Sequence, residues 1–234
     1  MTLKNRTVVT LLALFLSYAA TAQRCNPYFA IQEGMKATYE FYNAKNKVVS
    51  KTTDHFKDVT GSGENLTATL VMEMIDLKKN TVSGFSESKW RCENGVVHFT
   101  MNAMNVEGID MSNEGMDISV DGDEMEIPST LTPGESLKDV NYHIVMKVSG
   151  ITMMDRRFQV KDRKVEAKET ITTPAGSYET VKVSYTTESI GKSGSASKPQ
   201  LTSIWYATDV GVVKMENYKD GKVYSSQLLT KLEK

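Results

Sequence analysis

Three histidines, His55, His98 and His143, are the first residues to weigh as catalysts or metal ligands. No two stand at i, i+2 or i, i+4, and no H-E-x-x-H occurs, so zinc hydrolase chemistry has no support. His98 alternates with Val97 and Phe99, which puts it on the opposite face of a strand and reads as a surface or internally satisfied residue. No G-x-S-x-G offers a serine nucleophile. Gly191-Lys192-Ser193 resembles the end of a phosphate-binding loop, but Thr186 stands where that motif needs its first glycine. Carboxylates are dense at Asp117, Asp121, Asp123, Glu124 and Glu126. They lack a 12-position calcium loop with its terminal glutamate, and read as a solvated turn. No catalytic group, metal site or cofactor is expected.

Methionine is the compositional oddity. Of 13 in the chain, Met101, Met104, Met111, Met116 and Met125 fall within one 25-residue stretch. Thioethers can bind Cu(I), yet the spacing is irregular and no histidine is adjacent. Methionine also fills cores and lines adaptable apolar pockets. Met101, Met104, Met111 and Met116 are therefore candidates to line an apolar cavity.

The N-terminus carries Lys4 and Arg6, then an apolar run over 8–20, then Ala20-Thr21-Ala22. These are the three parts of a cleavable secretory signal peptide over residues 1–22. The run is shorter than the roughly 20 residues of a membrane span, and none follows downstream, so no stable span is expected after cleavage. Removing its two basic residues from 28 leaves 26 against 29 acidic ones, a net charge of −3. That argues against a nucleic-acid or anionic-membrane partner, which would call for a basic face. A periplasmic or extracellular protein with two cysteines, Cys25 and Cys92, is expected to join them in a disulfide. A loop of 67 positions implies about 4 kcal/mol of stabilisation. Gln23-Arg24 separates Cys25 from the small residues, so lipid anchoring is not expected.

Residues 23–234 read as one β-rich domain. Residues 35–42 alternate, with Ala37, Tyr39 and Phe41 on one side. Strands are also expected over 66–75, 142–148, 158–170 and 178–185. Asn94-Gly95 and Asp220-Gly221 mark hairpins between 86–92 and 96–101 and between 212–218 and 223–232. The stretch 102–116 is the least strand-like, and reads as a short helix or irregular crossover. Residues 191–199 form a polar loop or hairpin tip. About ten or more short strands point to an all-β fold, a curved antiparallel meander forming a half-open barrel or sandwich. At most one short helix accompanies it, besides the signal-peptide helix.

Several segments together resemble a known family. They are Cys25-Asn-Pro-Tyr-Phe-Ala-Ile-Gln-Glu-Gly34, Arg91-Cys92-Glu-Asn-Gly95, Leu131-Thr-Pro-Gly134-Glu-Ser-Leu137, Thr173-Pro-Ala-Gly-Ser-Tyr178 and Ile204-Trp205-Tyr206-Ala207. The chain resembles the TapB-like family of exported bacterial proteins, many from Bacteroidetes. The resemblance implies export and a β fold, and brings no catalytic residues.

Three functions are consistent with these readings. The first is a non-enzymatic exported protein holding an apolar or amphiphilic small molecule in its curved sheet. The second is an envelope scaffold that binds another envelope protein through a sheet edge or the 191–199 loop. The third, an enzyme, would need carboxylates or histidines from distant strands to converge.

Overall fold

The computed structural model describes residues 24–100 and 116–233. Thirteen strands follow in chain order: β1 (Lys36–Asn43), β2 (Val48–Ser62), β3 (Asn65–Ile75), β4 (Val82–Glu93), β5 (Val96–Phe99), β6 (Met116–Gly122), β7 (Met125–Ile127), β8 (Val140–Val148), β9 (Ile151–Thr173), β10 (Gly176–Gly191), β11 (Gln200–Ala207), β12 (Gly211–Lys219) and β13 (Lys222–Glu233). No described residue is helical. The export segment 1–22 and the crossover expected over 102–116 lie outside the described residues, except that Met116 opens β6.

The strands make one antiparallel sheet of order β6-β8-β9-β10-β11-β12-β13-β1-β2-β3-β4-β5-β7. It contains two meanders, β1–β5 and β8–β13, joined where β1 pairs with β13, Lys36 opposite Glu233. Tight turns build both. Asn94 and Gly95 have φ of 51° and 80°, and Asp220 and Gly221 have 50° and 72°, the positive angles of a primed hairpin. Ser149-Gly150 makes a third such turn, with φ of 50° and 80°. It starts β9 seven residues before the strand expected at 158.

β6 and β7 are the two edges of the sheet, yet only Asp123 and Glu124 separate them in sequence. Three residue steps span at most about 11 Å. One extended run therefore bonds first to β8, Met116 opposite Val148, and then to β5, Phe99 opposite Met125. The sheet must curl until its edges nearly meet, which gives the half-open barrel. The change of partner occurs at Gly122, where φ is 132°. A Cβ there would run into the Asn141 carbonyl oxygen and sit 2.7 Å from Tyr142 Cα, so no other residue fits without displacing β8.

The larger core lies inside this curl. Trp90 stacks on Phe99 at 4.3 Å and meets Phe29 and Phe56 edge-on at 5.3 and 5.5 Å. Tyr142 stacks on Phe158 at 5.1 Å, and Val97, Ile127, Val160 and Val165 fill the remainder. A second core gathers Ala37, Tyr39, Trp205, Val213 and Leu229. Successive residues of β11 thus serve different cores, Tyr206 the first and Trp205 the second, as the period of two in a strand dictates.

Candidate functional site

Cys25 and Cys92 form a disulfide, with Cα atoms 6.1 Å apart. Beside it Asn26 is fully buried. Its Nδ2 donates to the carbonyls of Gly95 (2.9 Å) and Ile127 (3.0 Å), and its Oδ1 accepts from the Tyr28 amide at 2.9 Å. The Asp209 amide donates to the Pro27 carbonyl, and Arg24 pairs with Asp209. The segment following the expected export signal is therefore fixed against the β4–β5 and β11–β12 turns.

Met101, Met104 and Met111 lie outside the described residues. Met116 begins β6, paired with Val148. The three histidines stand on β2, β5 and β8. His143 Nε2 is 2.7 Å from Asp155 Oδ1, and this bond holds the Asp155 carboxyl below the usual range. His98 Nδ1 lies 3.8 Å from Glu124, beyond hydrogen-bond reach. Among the described residues no group of three or more His, Cys, Asp or Glu side chains is placed to hold a metal ion. Asp123, in the acidic stretch, accepts from the Asn141 amide at 3.0 Å and so secures the β6–β7 switch to β8.

Two open depressions adjoin on the β2–β4 face. One of about 380 Å³ is lined by Thr60, Asn65, Thr67 and Arg91, and one of about 220 Å³ by Asp58, Thr69, Lys89 and Glu124. Their polar groups bond to one another. Arg91 bridges Glu93 and Glu124, each at 2.5 Å, and Lys89 donates to Thr69 at 2.7 Å.

Two buried polar residues escaped sequence reading. Arg163 on β9 is 2 % exposed. Its Nη1 donates to the Lys138 carbonyl (2.5 Å) and its Nη2 to that of Glu126 (2.8 Å). Burial lowers its pKa. The Leu131–Leu137 motif runs alongside: the Gly134 and Leu137 amides donate to the carbonyls of Val165 and Arg163, both at 2.8 Å. Asp54 on β2 opposes Ala37, and its Oδ1 is buried with no hydrogen-bond partner. Burial pushes this carboxyl up to about 7.

The most asymmetric feature is the placement of exposed apolar side chains. In antiparallel meanders alternate turns fall at the same end. The β1–β2, β3–β4, β8–β9, β10–β11 and β12–β13 hairpins thus point one way. The register keeps the β10–β11, β12–β13 and β1–β2 tips level, Leu201 opposing Tyr218, which opposes Val223, and Asn43 opposing Ser225; the β8–β9 hairpin projects further, since Gly191 opposes Arg156. Among the described residues, all nine exposed large apolar ones lie within four positions of these tips. Val48 and Val49 belong to the first, and Leu77, Val82 and Phe85 (64 %) to the second. Ile151 (68 %) and Met153 (63 %) follow on the third, Leu201 on the fourth and Val223 on the fifth. The 191–199 loop is the fourth tip, closed by Gly191 donating to the Ser195 carbonyl at 2.9 Å. The methionine-rich segment between Phe99 and Met116 re-enters the sheet at this end, because Met116 opposes Val148 beside the β8–β9 tip.

A curled open sheet with its edges pinned together defines an all-β half-open-barrel protein. The chain belongs to the DUF3108-like family, which it matches over residues 32–229. The match carries that family description rather than the TapB-like one. Two solved structures share the fold. One, from Bacteroides fragilis, is described as a candidate exported protein with a YmcC-like fold, with 21 % identity and a TM-score of 0.71. The other, a candidate lipoprotein from Parabacteroides distasonis, has 21 % identity and a TM-score of 0.72. Each alignment covers 90 % of this chain and 100 % of the other. A search of curated proteins finds no match.

Proposed function

We propose that this protein is exported and acts in the bacterial envelope as a non-enzymatic binding module, with the five-hairpin end of the sheet as its working surface. The observation that carries this reading is the confinement of the nine exposed large apolar residues among the described ones to that end. Scattered exposed apolar residues need no explanation, but a one-ended concentration marks an interaction site. Export is supported by the charged, apolar and small-residue pattern of 1–22, and by two fold relatives described as exported or lipoprotein candidates. Lipid anchoring is disfavoured by chemistry. Cys25 spends its sulfur on Cys92, and the chain has no third cysteine.

The test is a photo-crosslinking amino acid placed at Phe85 or Ile151 in cells of the native host. Adducts from these positions, with none from Thr208 at the opposite end, support the reading. Adducts from Thr208 alone contradict it.

A second reading is favoured by the position of Met116. An apolar or amphiphilic molecule would sit at this same end, beside the β8–β9 tip where Met116 opposes Val148. Inside the curl, the aromatic cluster around Trp90 already occupies the space. Native mass spectrometry of protein from its own host distinguishes the two: a bound small-molecule mass favours the ligand reading, and a bare chain the surface reading.

A further inference from the structure

Charge follows the same axis as apolar exposure. Within two residues of the five tips stand nine lysines: Lys45 and Lys47, Lys78 and Lys79, Lys147, Lys192 and Lys198, and Lys219 and Lys222. All are exposed, and none takes part in an ion pair among the described residues. Only two acids, Asp76 and Asp220, share those positions. The four turns at the other end, β2–β3, β4–β5, β9–β10 and β11–β12, have Glu64, Glu93 and Asp209 within the same distance, and no lysine or arginine. A chain whose net charge after export-signal removal is negative thus carries nine exposed lysines around the tips where its apolar side chains are exposed.

We propose that the hairpin end docks peripherally on an anionic lipid surface. This rests on the reading that the hairpin end is the working surface, and names its partner. The apolar groups come as short fingers on separate hairpins rather than as one smooth patch. Such fingers suit the boundary between headgroups and acyl chains, where each can insert independently while flanking lysines remain among the phosphates. Lysines within a Debye length of an anionic leaflet are drawn to it, and salt screens the attraction. The segment from Arg24 to Pro27 lies at the opposite end, bonded to Asp209, so the start of the mature chain does not obstruct the docking face.

Flotation of the purified mature chain with vesicles tests this. Equimolar phosphatidylcholine and phosphatidylglycerol should carry the protein up the gradient, and phosphatidylcholine alone should not. Raising salt from 0.1 to 0.5 M should cut binding by about tenfold, as screening requires. The pairs Lys78→Glu with Lys79→Glu, and Ile151→Ser with Met153→Ser, should each reduce binding by about fivefold or more. Circular dichroism verifies that both variants are folded, and Thr208→Glu at the far end should bind like wild type. Equal binding to neutral vesicles, no binding to either, or salt-insensitive self-association without vesicles would overturn the proposal. If vesicles fail while crosslinks at Phe85 or Ile151 capture an envelope protein, the lipid inference falls and the hairpin-end reading stands.

Discussion

Arg163 Nη2 donates to the Glu126 carbonyl across 2.8 Å, and this bond ties the edge strand β7 to β9, the third strand from the other edge of the sheet. With the Lys138 carbonyl on Nη1, one guanidinium closes the seam that the β6–β7 switch leaves open. It does so without a carboxylate partner, using two backbone acceptors.

Removing it strands those carbonyls. Arg163→Ala is expected to cost about 3–5 kcal/mol, the penalty for deleting a buried charged donor together with its packing. Arg163→Met, which restores most of the volume but no donor, should cost about half as much. Urea unfolding at pH 7 measures both. Equal, small losses would show that the seam does not need the clamp.

Asp54 makes stability depend on pH in the direction opposite to most carboxylates. Its folded pKa of about 7 lies above the ordinary value of 3.8. Between those values the native chain holds a proton that the unfolded chain has released. The contribution of this group therefore favours folding at about pH 4 and is lost as pH rises through 7. Asp54→Asn should stabilise the protein by about 4 kcal/mol at pH 8 and by almost nothing near pH 4. Parallel unfolding curves for wild type and variant at both pH values would refute the assignment.

The Cys25–Cys92 bond is expected to contribute about 4 kcal/mol through the loop it closes. Cys25→Ser with Cys92→Ser should lower the urea midpoint accordingly and speed amide exchange around Asn26 and Tyr28. The distant β8–β9 hairpin should keep wild-type exchange. A uniform rise in exchange across the sheet would mean that the bridge holds the whole barrel rather than its N-terminal segment.

Local signals carried most of the strand assignment. Asn94-Gly95 and Asp220-Gly221 announced their hairpins because each supplies the positive φ that the turn demands. Ser149-Gly150 did not, since serine marks such turns less strongly than asparagine or aspartate. The following Met153-Met154 and Arg156-Arg157 pairs also blur the alternation of β9. Non-local pairings left no trace. Nothing near Gly122 tells that β6 and β7 lie on opposite edges, and nothing near Lys36 tells that it meets Glu233. Arg163 sits in a Lys-Asp-Arg-Lys run that reads as solvated, because its acceptors belong to Glu126 and Lys138. The hairpin end was invisible for the same reason: its valines, Phe85, Ile151 and lysines are scattered along the sequence, and only the antiparallel register collects them. The export segment and most of the candidate cavity methionines fall outside the described residues.

The central claim is that the hairpin end is where this protein meets its partner. Hydrogen–deuterium exchange of the mature chain, with and without envelope membranes of its own host, tests it most directly. The account predicts slower exchange at the five tips, strongest around residues 77–85 and 149–153, with the β2–β3, β4–β5 and β11–β12 turns unchanged. Protection confined to those opposite turns, or to the interior around Trp90, would contradict it.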